Sequence, residues 1–169
     1  MPTELTDAQW TMLAEHRAQW YAIGAATGPS DREVVTGVMR CLYARLGLAA
    51  PQIGSLLRIA VMDASVHPKT HAPAAHGLLV LVNPVIVEAE GSVIQREGCL
   101  SIPDFTANVR RATRVRVKAF DRFGTSVEWC LEEFEAIVAQ HEVDHLDGKL
   151  FLDRVADLKT DVFKRKTYL

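Results

Sequence analysis

Cysteine is scarce in this 169-residue chain, aromatic residues reach only 7%, and neither sign of charge dominates. The three cysteines, Cys41, Cys99 and Cys130, stand too far apart for a disulfide framework, and their odd number favours a thiol with another role. Nineteen Lys and Arg against 21 Asp and Glu leave a net charge of −2, which argues against broad electrostatic binding to nucleic acid or to an anionic membrane. Long hydrophobic runs are missing too. The best apolar stretch, residues 46–62, is interrupted by Pro51, Gln52, Gly54 and Arg58, so it fails as a membrane span. The opening residues, Met1 to Asp7, carry early acids and neither a basic nor an apolar segment, so they do not read as a secretory signal. No internal repeat or linker is visible, and nothing in the sequence speaks to oligomeric state. What remains is 49% hydrophobic and 24% charged residues, the ordinary balance of a globular protein. The expectation is a single domain over residues 1–169, working in the cytoplasm.

Local patterns suggest an α+β order. A capping box at Thr6 to Gln9 predicts a helix running to about Ile23, and a second at Ser30 to Glu33 predicts another ending near Ala44. Strand-like segments follow at residues 57–62, 78–82, 85–88 and 93–95. Residues 65–77, with His67, His71 and His76, read as a loop carrying surface histidines. Arg114 to Phe120 alternates basic and apolar residues and pairs through a turn at 121–124 with a strand at 125–129, a hairpin with one solvated basic face. From Glu132 the spacing becomes helical, with Phe134, Ile137, Val138, His141 and His145 on one face and Gly148 as the stop. The tail, residues 153–169, predicts a further short helix, with Lys164, Arg165 and Lys166 as solubilising charge.

Two histidines on an apolar helix face call for a reason. His141-Glu142-Val143-Asp144-His145 places both imidazoles one turn apart, able to reach one metal ion, with Glu142 one step round the helix facing the metal's water. Two hydrogen-bonded core histidines are the bland alternative. A third ligand is on offer in Glu97-Gly98-Cys99-Leu100-Ser101, where Cys99 comes from a different element and leaves a fourth coordination position open, as catalytic sites require. The Leu100 N–H, next after the thiolate, is placed to donate to an oxyanion. A third segment, Gly47-Leu48-Ala49-Ala50-Pro51-Gln52, reads by itself as a packed loop of small residues ending in an amide.

Together these segments resemble the peptide deformylase family, in its Gly-x-Gly-x-Ala-Ala-x-Gln motif near Gly47 to Gln52, its Glu-Gly-Cys-Leu-Ser motif at Glu97 to Ser101 and its His-Glu-x-x-His motif at His141 to His145. The flanks agree at Leu81 to Pro84, Ile102-Pro103, Asp121 to Gly124 and Leu146 to Gly148, so the likeness runs from about Leu42 to Phe151. It implies antiparallel sheets packed around a central helix that carries His-Glu-x-x-His. The implied reaction is metal-dependent removal of the N-terminal formyl group from formyl-methionyl peptides or nascent polypeptides. It implies one divalent metal ion, commonly Fe2+, with Zn2+ or Ni2+ also used, held by Cys99, His141 and His145. Glu142 would carry the proton from water to the leaving amine, and Gln52 with Leu100 N–H would hold the oxyanion. Leu46, Gly47, Phe134, Ile137 and Val138 would bind substrate, the apolar ones taking the methionine side chain, with ordinary core as their alternative. Glu97 and Arg111 look like an ion pair bracing the cysteine loop, although Arg111 has surface partners available as well.

The likeness is not complete. Arg45 stands where the family usually has a glycine, and the expectation is a side chain at the channel rim attracting an anionic substrate group. The strand with Pro and Leu-Arg that usually precedes the first helix is missing from the N-terminal region. Three other readings share features with this one. A deformylase-like amidase could act on another N-formyl or small N-acyl compound. A non-catalytic relative could bind protein N-termini, but Glu142 then has no reason to sit beside the ligands. A zinc endopeptidase would share the helix, yet Cys99 replaces the downstream Glu or His ligand such enzymes need.

Overall fold

The computed structural model describes residues 46–66 and 76–165. The helices expected over residues 6–23 and 30–44, together with Cys41, Arg45, His67 and His71, lie outside the described residues. Strands β1 (Gly47–Ala49), β2 (Ile59–Met62), β3 (Leu79–Glu90), β6 (Arg114–Phe120) and β7 (Ser126–Glu132) form one antiparallel sheet in the order β1-β2-β3-β6-β7. Strands β4 (Val93–Cys99), β5 (Ile102–Arg111) and β8 (Val162–Lys164) form a second, in the order β4-β5-β8. The α-helix α1 (Glu133–Leu146) packs on β1, β2 and β7, and its C-terminal half meets β4 through the Cys99 and His145 side chains. This arrangement matches the antiparallel sheets around a helix expected from the sequence. No helix among the described residues is long and apolar enough to cross a membrane.

Alternation produces the core. Val115, Val117 and Ala119 of β6 turn inward and are buried with Met62, Leu79, Leu81 and Leu131, and Ala136, Val138 and Ala139 of α1 close the layer. Each fully buried Val or Leu is worth about 1.5–3 kcal/mol, so this cluster anchors the helix to the sheet. A second cluster of Cys99, Ala107, Val109 and Phe151 sits inside the smaller sheet. The alternate residues of β6 face outward and are paired: Arg116 with Glu88 and with Glu128 at 2.8 Å, Arg114 with Glu132 at 3.3 Å, Lys118 with Glu128 at 3.6 Å. The basic stripe is therefore a neutralised sheet face.

Several expectations need correction. Residues 78–82 and 85–88 are one strand, β3, because Asn83 adopts a positive φ of 50° before Pro84 and shifts the register without ending the strand. The strand beginning at Val93 continues to Cys99, and its partner β5 was not anticipated, since Pro103, Asp104 and Asn108 break the apolar alternation that marks a strand. Gly47 to Gln52 is not a plain loop: Gly47–Ala49 pairs with β2, and Ala50–Ile53 forms a 3-10 turn. The described part of the tail, up to residue 165, contains a 3-10 turn at Phe151–Arg154 and strand β8 in place of a helix, because Val162 to Lys164 find the open edge of β5.

Helix α1 ends as its sequence dictates. Gly148 has φ 70°, its N–H donates to the His145 carbonyl at 3.2 Å, and the Lys149 N–H donates to the Asp144 carbonyl at 2.8 Å. That pair of bonds is the Schellman closure that glycine permits without a Cβ clash. Few of the helix's polar residues reach solvent: Glu135, Glu142, Asp144 and His145 are buried. Burying ionisable groups costs several kcal/mol each unless partners compensate, so each of these residues requires an explanation.

Candidate metal centre

His141 and His145 stand one helical turn apart, and the end of β4 brings Cys99 against them. The Cys99 sulfur lies 3.1 Å from His145 Nε2, which lies 3.2 Å from His141 Nε2. One ligand atom from each of the three residues falls within 4.8 Å of the others. The other ring nitrogen of His141, Nδ1, lies 2.9 Å from Glu97 Oε2, which leaves Nε2 turned toward the cluster. Three soft or borderline donors converging on one point suit a divalent transition metal, and a carboxylate behind a histidine is the usual way such a ligand is oriented.

Cys99 is presented by a tight turn. Leu100 and Ser101 join β4 to β5, Cys99 pairs with Ile102 across the turn, and the Ser101 N–H donates to the Cys99 sulfur at 3.4 Å. Gln52, on the 3-10 turn after β1, accepts the Ala49 N–H at 2.9 Å through Oε1. That bond fixes the amide so that Nε2 faces Cys99 Sγ at 3.5 Å and Ser101 Oγ at 3.4 Å. Leu100 is 44% exposed.

Glu142 occupies the remaining side. It is 4% exposed, it lies against the Gly47 backbone, and its Oε2 has no hydrogen-bond partner among the described residues. An orphaned buried carboxylate oxygen beside three converging donors is what a site that handles protons at a metal would contain.

The charges of the site are strongly coupled. Burial alone would raise the Cys99 thiol, but hydrogen bonds from His141, His145 and Ser101 outweigh it and bring the thiol down to about 5. Burial disfavours a charged His141, yet the thiolate and Glu97 beside it push the imidazole up to about 10. Burial pushes Glu142 up to about 7, against the pull of the two histidines. Burial also opposes ionisation of Glu97, but His141 and Arg111 hold it below the usual carboxylate range. The thiol is thus readily ionised, as a metal ligand must be.

The structure brings together Cys99, His141, His145, Glu142, Gln52 and Gly47, all anticipated from sequence. Leu46, Phe134 and Val138 join the main apolar cluster, and Ile137 is buried outside that cluster. Arg111 is no surface residue: it is buried and donates to both carboxylate oxygens of Glu97, at 2.7 and 3.0 Å. Sequence reasoning missed Asp144, which accepts Arg111 Nη1 at 2.6 Å, and Arg154, which donates to Asp144 from Nε at 3.1 Å. Asp144 did carry a signal, an acid beside a ligand on a buried helix turn, whereas nothing local marks Arg154. His76 meets the buried Glu135 at 2.8 Å, which accounts for that acid.

Comparison with known proteins is consistent with this geometry. The polypeptide deformylase family matches residues 11–161. A peptide deformylase of Thermodesulfovibrio yellowstonii is 43% identical over 121 residues, 72% of this chain and 70% of that protein. One from Aquifex aeolicus is 49% identical over 110 residues, 65% of this chain and 63% of its own length. A crystal structure of a Legionella pneumophila peptide deformylase shares 39% identity with a TM-score of 0.68, covering 87% of this chain and 85% of that one. The Met-Ala-Ser-bound class I type b peptide deformylase of Acinetobacter baumannii shares 33% identity with a TM-score of 0.66, over 79% of this chain and 87% of that one.

Proposed function

The chain belongs to the polypeptide deformylase family, and from that premise we propose how its own residues perform the family's reaction, hydrolysis of the N-terminal formyl group of nascent peptides. The observation that carries the assignment is the convergence of Cys99, His141 and His145 beside the buried, unpartnered carboxylate oxygen of Glu142. The enzyme is a metal-dependent amide hydrolase, and its divalent ion would be held by Cys99 Sγ, His141 Nε2 and His145 Nε2. When bound, the ion supplies Lewis acidity, polarising the formyl carbonyl and acidifying water. We assign Fe2+ as the resident ion, with Zn2+ or Ni2+ as functional substitutes, and the cytoplasm as the place of work.

Glu142 is the proton carrier. It takes the proton of the attacking water and returns it to the leaving amine nitrogen, a task for which a carboxyl near neutrality is well matched. As the formyl carbon becomes tetrahedral, its oxygen gains negative charge, and Gln52 Nε2 with the Leu100 N–H donate to it. Gln52 needs no reorganisation for this, because the Ala49 N–H already holds its Oε1. Gly47 opens β1, the edge strand of its sheet among the described residues, so an extended peptide can lie along it. Leu46, Phe134, Ile137 and Val138 form the apolar wall for the methionine side chain. The Acinetobacter relative binds Met-Ala-Ser, and formyl-Met-Ala-Ser is the corresponding substrate here.

The test is anaerobic purification with metal analysis, followed by assay of formyl-Met-Ala-Ser, acetyl-Met-Ala-Ser and an internal peptide. The expected result is bound iron and turnover of the formyl peptide alone. Equal hydrolysis of the acetyl peptide, or no turnover by fully metal-loaded protein, would overturn the substrate assignment.

A further inference from the structure

A row of charged groups runs from the protein surface to His141. Arg154, whose side chain is 42% exposed, donates from Nε to Asp144 Oδ2 at 3.1 Å. The same oxygen accepts Arg111 Nη1 at 2.6 Å, and Arg111 donates through Nε and Nη2 to the two oxygens of Glu97. Glu97 Oε2 then meets His141 Nδ1 at 2.9 Å. Arg111, Asp144 and Glu97 are buried, and a cavity of about 440 Å³, lined by Gln140, Arg58 and Asp147 among others, opens beside the Arg154 end.

The placement of these residues says what the row does. Asp144 immediately precedes His145 on α1, and Glu97 stands two residues before Cys99 on β4. Arg111, on β5, grips both acids with its planar fork, so it ties the helix turn that supplies two donors to the strand end that supplies the third. Arg111 is shared between the two buried carboxylates, and Arg154 adds a second guanidinium on the Asp144 side. Buried ion pairs add little net stability over apolar packing of the same volume, so a row that ends on a donor's ring nitrogen is better explained by geometry than by stability.

Resting on the metal-hydrolase reading above, we propose that Asp144 and Arg154 are positioning residues of the metal centre. Through Arg111 and Glu97 they hold His141, and with it the three-donor set, in the geometry that retains the ion.

The test compares zinc-loaded wild type with Asp144→Asn, Arg154→Gln and Arg154→Lys. Metal release is followed with a chromophoric chelator, the visible spectrum of each cobalt-substituted protein is recorded, and the melting temperature of each metal-free protein is measured. Loss of an orienting partner of a ligand typically costs about 10–100-fold in metal affinity, so Asp144→Asn is expected to release zinc at least ~10-fold faster with an altered cobalt spectrum. Arg154→Gln, at a half-exposed site that any polar residue can occupy, is expected to speed release by more than its loss of metal-free melting temperature accounts for. Arg154→Lys is expected to restore most of the retention. Wild-type release rates and cobalt spectra in both Asp144→Asn and Arg154→Gln would overturn the proposal. So would faster release that merely tracks a lower melting temperature and is not rescued by Lys. Failure of the wild type itself to hold metal would instead sink the metal-hydrolase reading, so the two failures are distinguishable.

Discussion

Gly47→Ala should disable the enzyme without unfolding it or emptying its metal site. Gly47 opens β1, and a Cβ built there would stand 2.7 Å from Glu142 Cδ and 2.9 Å from Cγ, overlapping Oε1 as well. Carbon atoms rest about 3.5–4.0 Å apart, so the carboxyl group must retreat by about 1 Å. The strand has little room to yield instead, because Gly47 is registered on Met62 and Leu48 on Val61, and Leu48, Val61 and Met62 are all buried. A misplacement of about 1 Å at a reacting group is worth about 100-fold in rate, or about 2.7 kcal/mol of transition-state stabilisation. Overpacking of this kind costs about 1–3 kcal/mol of stability, which a folded domain survives. The assay is kcat for formyl-Met-Ala-Ser at measured metal occupancy, with a thermal melt as control. The same substitution in a Glu142→Asp background should cost much less, because the shorter acid vacates the space, and the double-mutant cycle measures that coupling. A kcat within about twofold of wild type for Gly47→Ala at full metal occupancy would refute the reasoning, since it would mean that the position of Glu142 does not matter to the proton transfer.

Other perturbations probe the remaining parts. Cys99→Ala should lose the ion, as read by metal analysis of the purified protein, and full occupancy in that variant would remove Cys99 from the ligand set. Glu142→Gln should keep the ion and the fold while losing at least ~100-fold in kcat, and near wild-type turnover would show that the proton travels another way. Acid stability offers a further check. Burial would raise Asp144 and Glu97, but their guanidinium and histidine partners hold both below the ordinary carboxylate range in the folded protein. A group depressed in this way contributes its full stability above its unfolded value of about 4 and loses it as the pH falls through the folded value. Urea unfolding of metal-free protein should therefore show stability falling below about pH 4 in wild type, and Arg111→Met should be less stable at pH 7 with a flatter acid limb. Parallel acid limbs in the two proteins would show that the Arg111 pairs do not depress these acids.

The residues read correctly from sequence share a property: their geometry is local. Spacing of four on a helix fixes His141 beside His145 whatever surrounds them, and a glycine after the last helical turn stops α1 whatever follows. Alternation in Arg114 to Phe120 likewise fixed which side of β6 is buried. The family motifs extended this reach to Cys99 and Gln52, which are remote in sequence but recur as words.

Packing alone decided the rest. Strand β8 exists because β5 offers a free edge to a segment too short and too polar to declare itself a strand. Gly47 must be glycine because Glu142, from the far half of the described chain, lies against it, and no pattern around Gly47 encodes that approach. Arg111 could have met any acid on the surface; only the registry of β4 on β5, and of both against α1, set Glu97 and Asp144 within reach of one guanidinium. The sequence thus determined which donor and acid side chains stand side by side on one element, because residue type and helical period are local. Their orientation belongs to the tertiary structure, because a buried charge finds its partner through space and not along the chain.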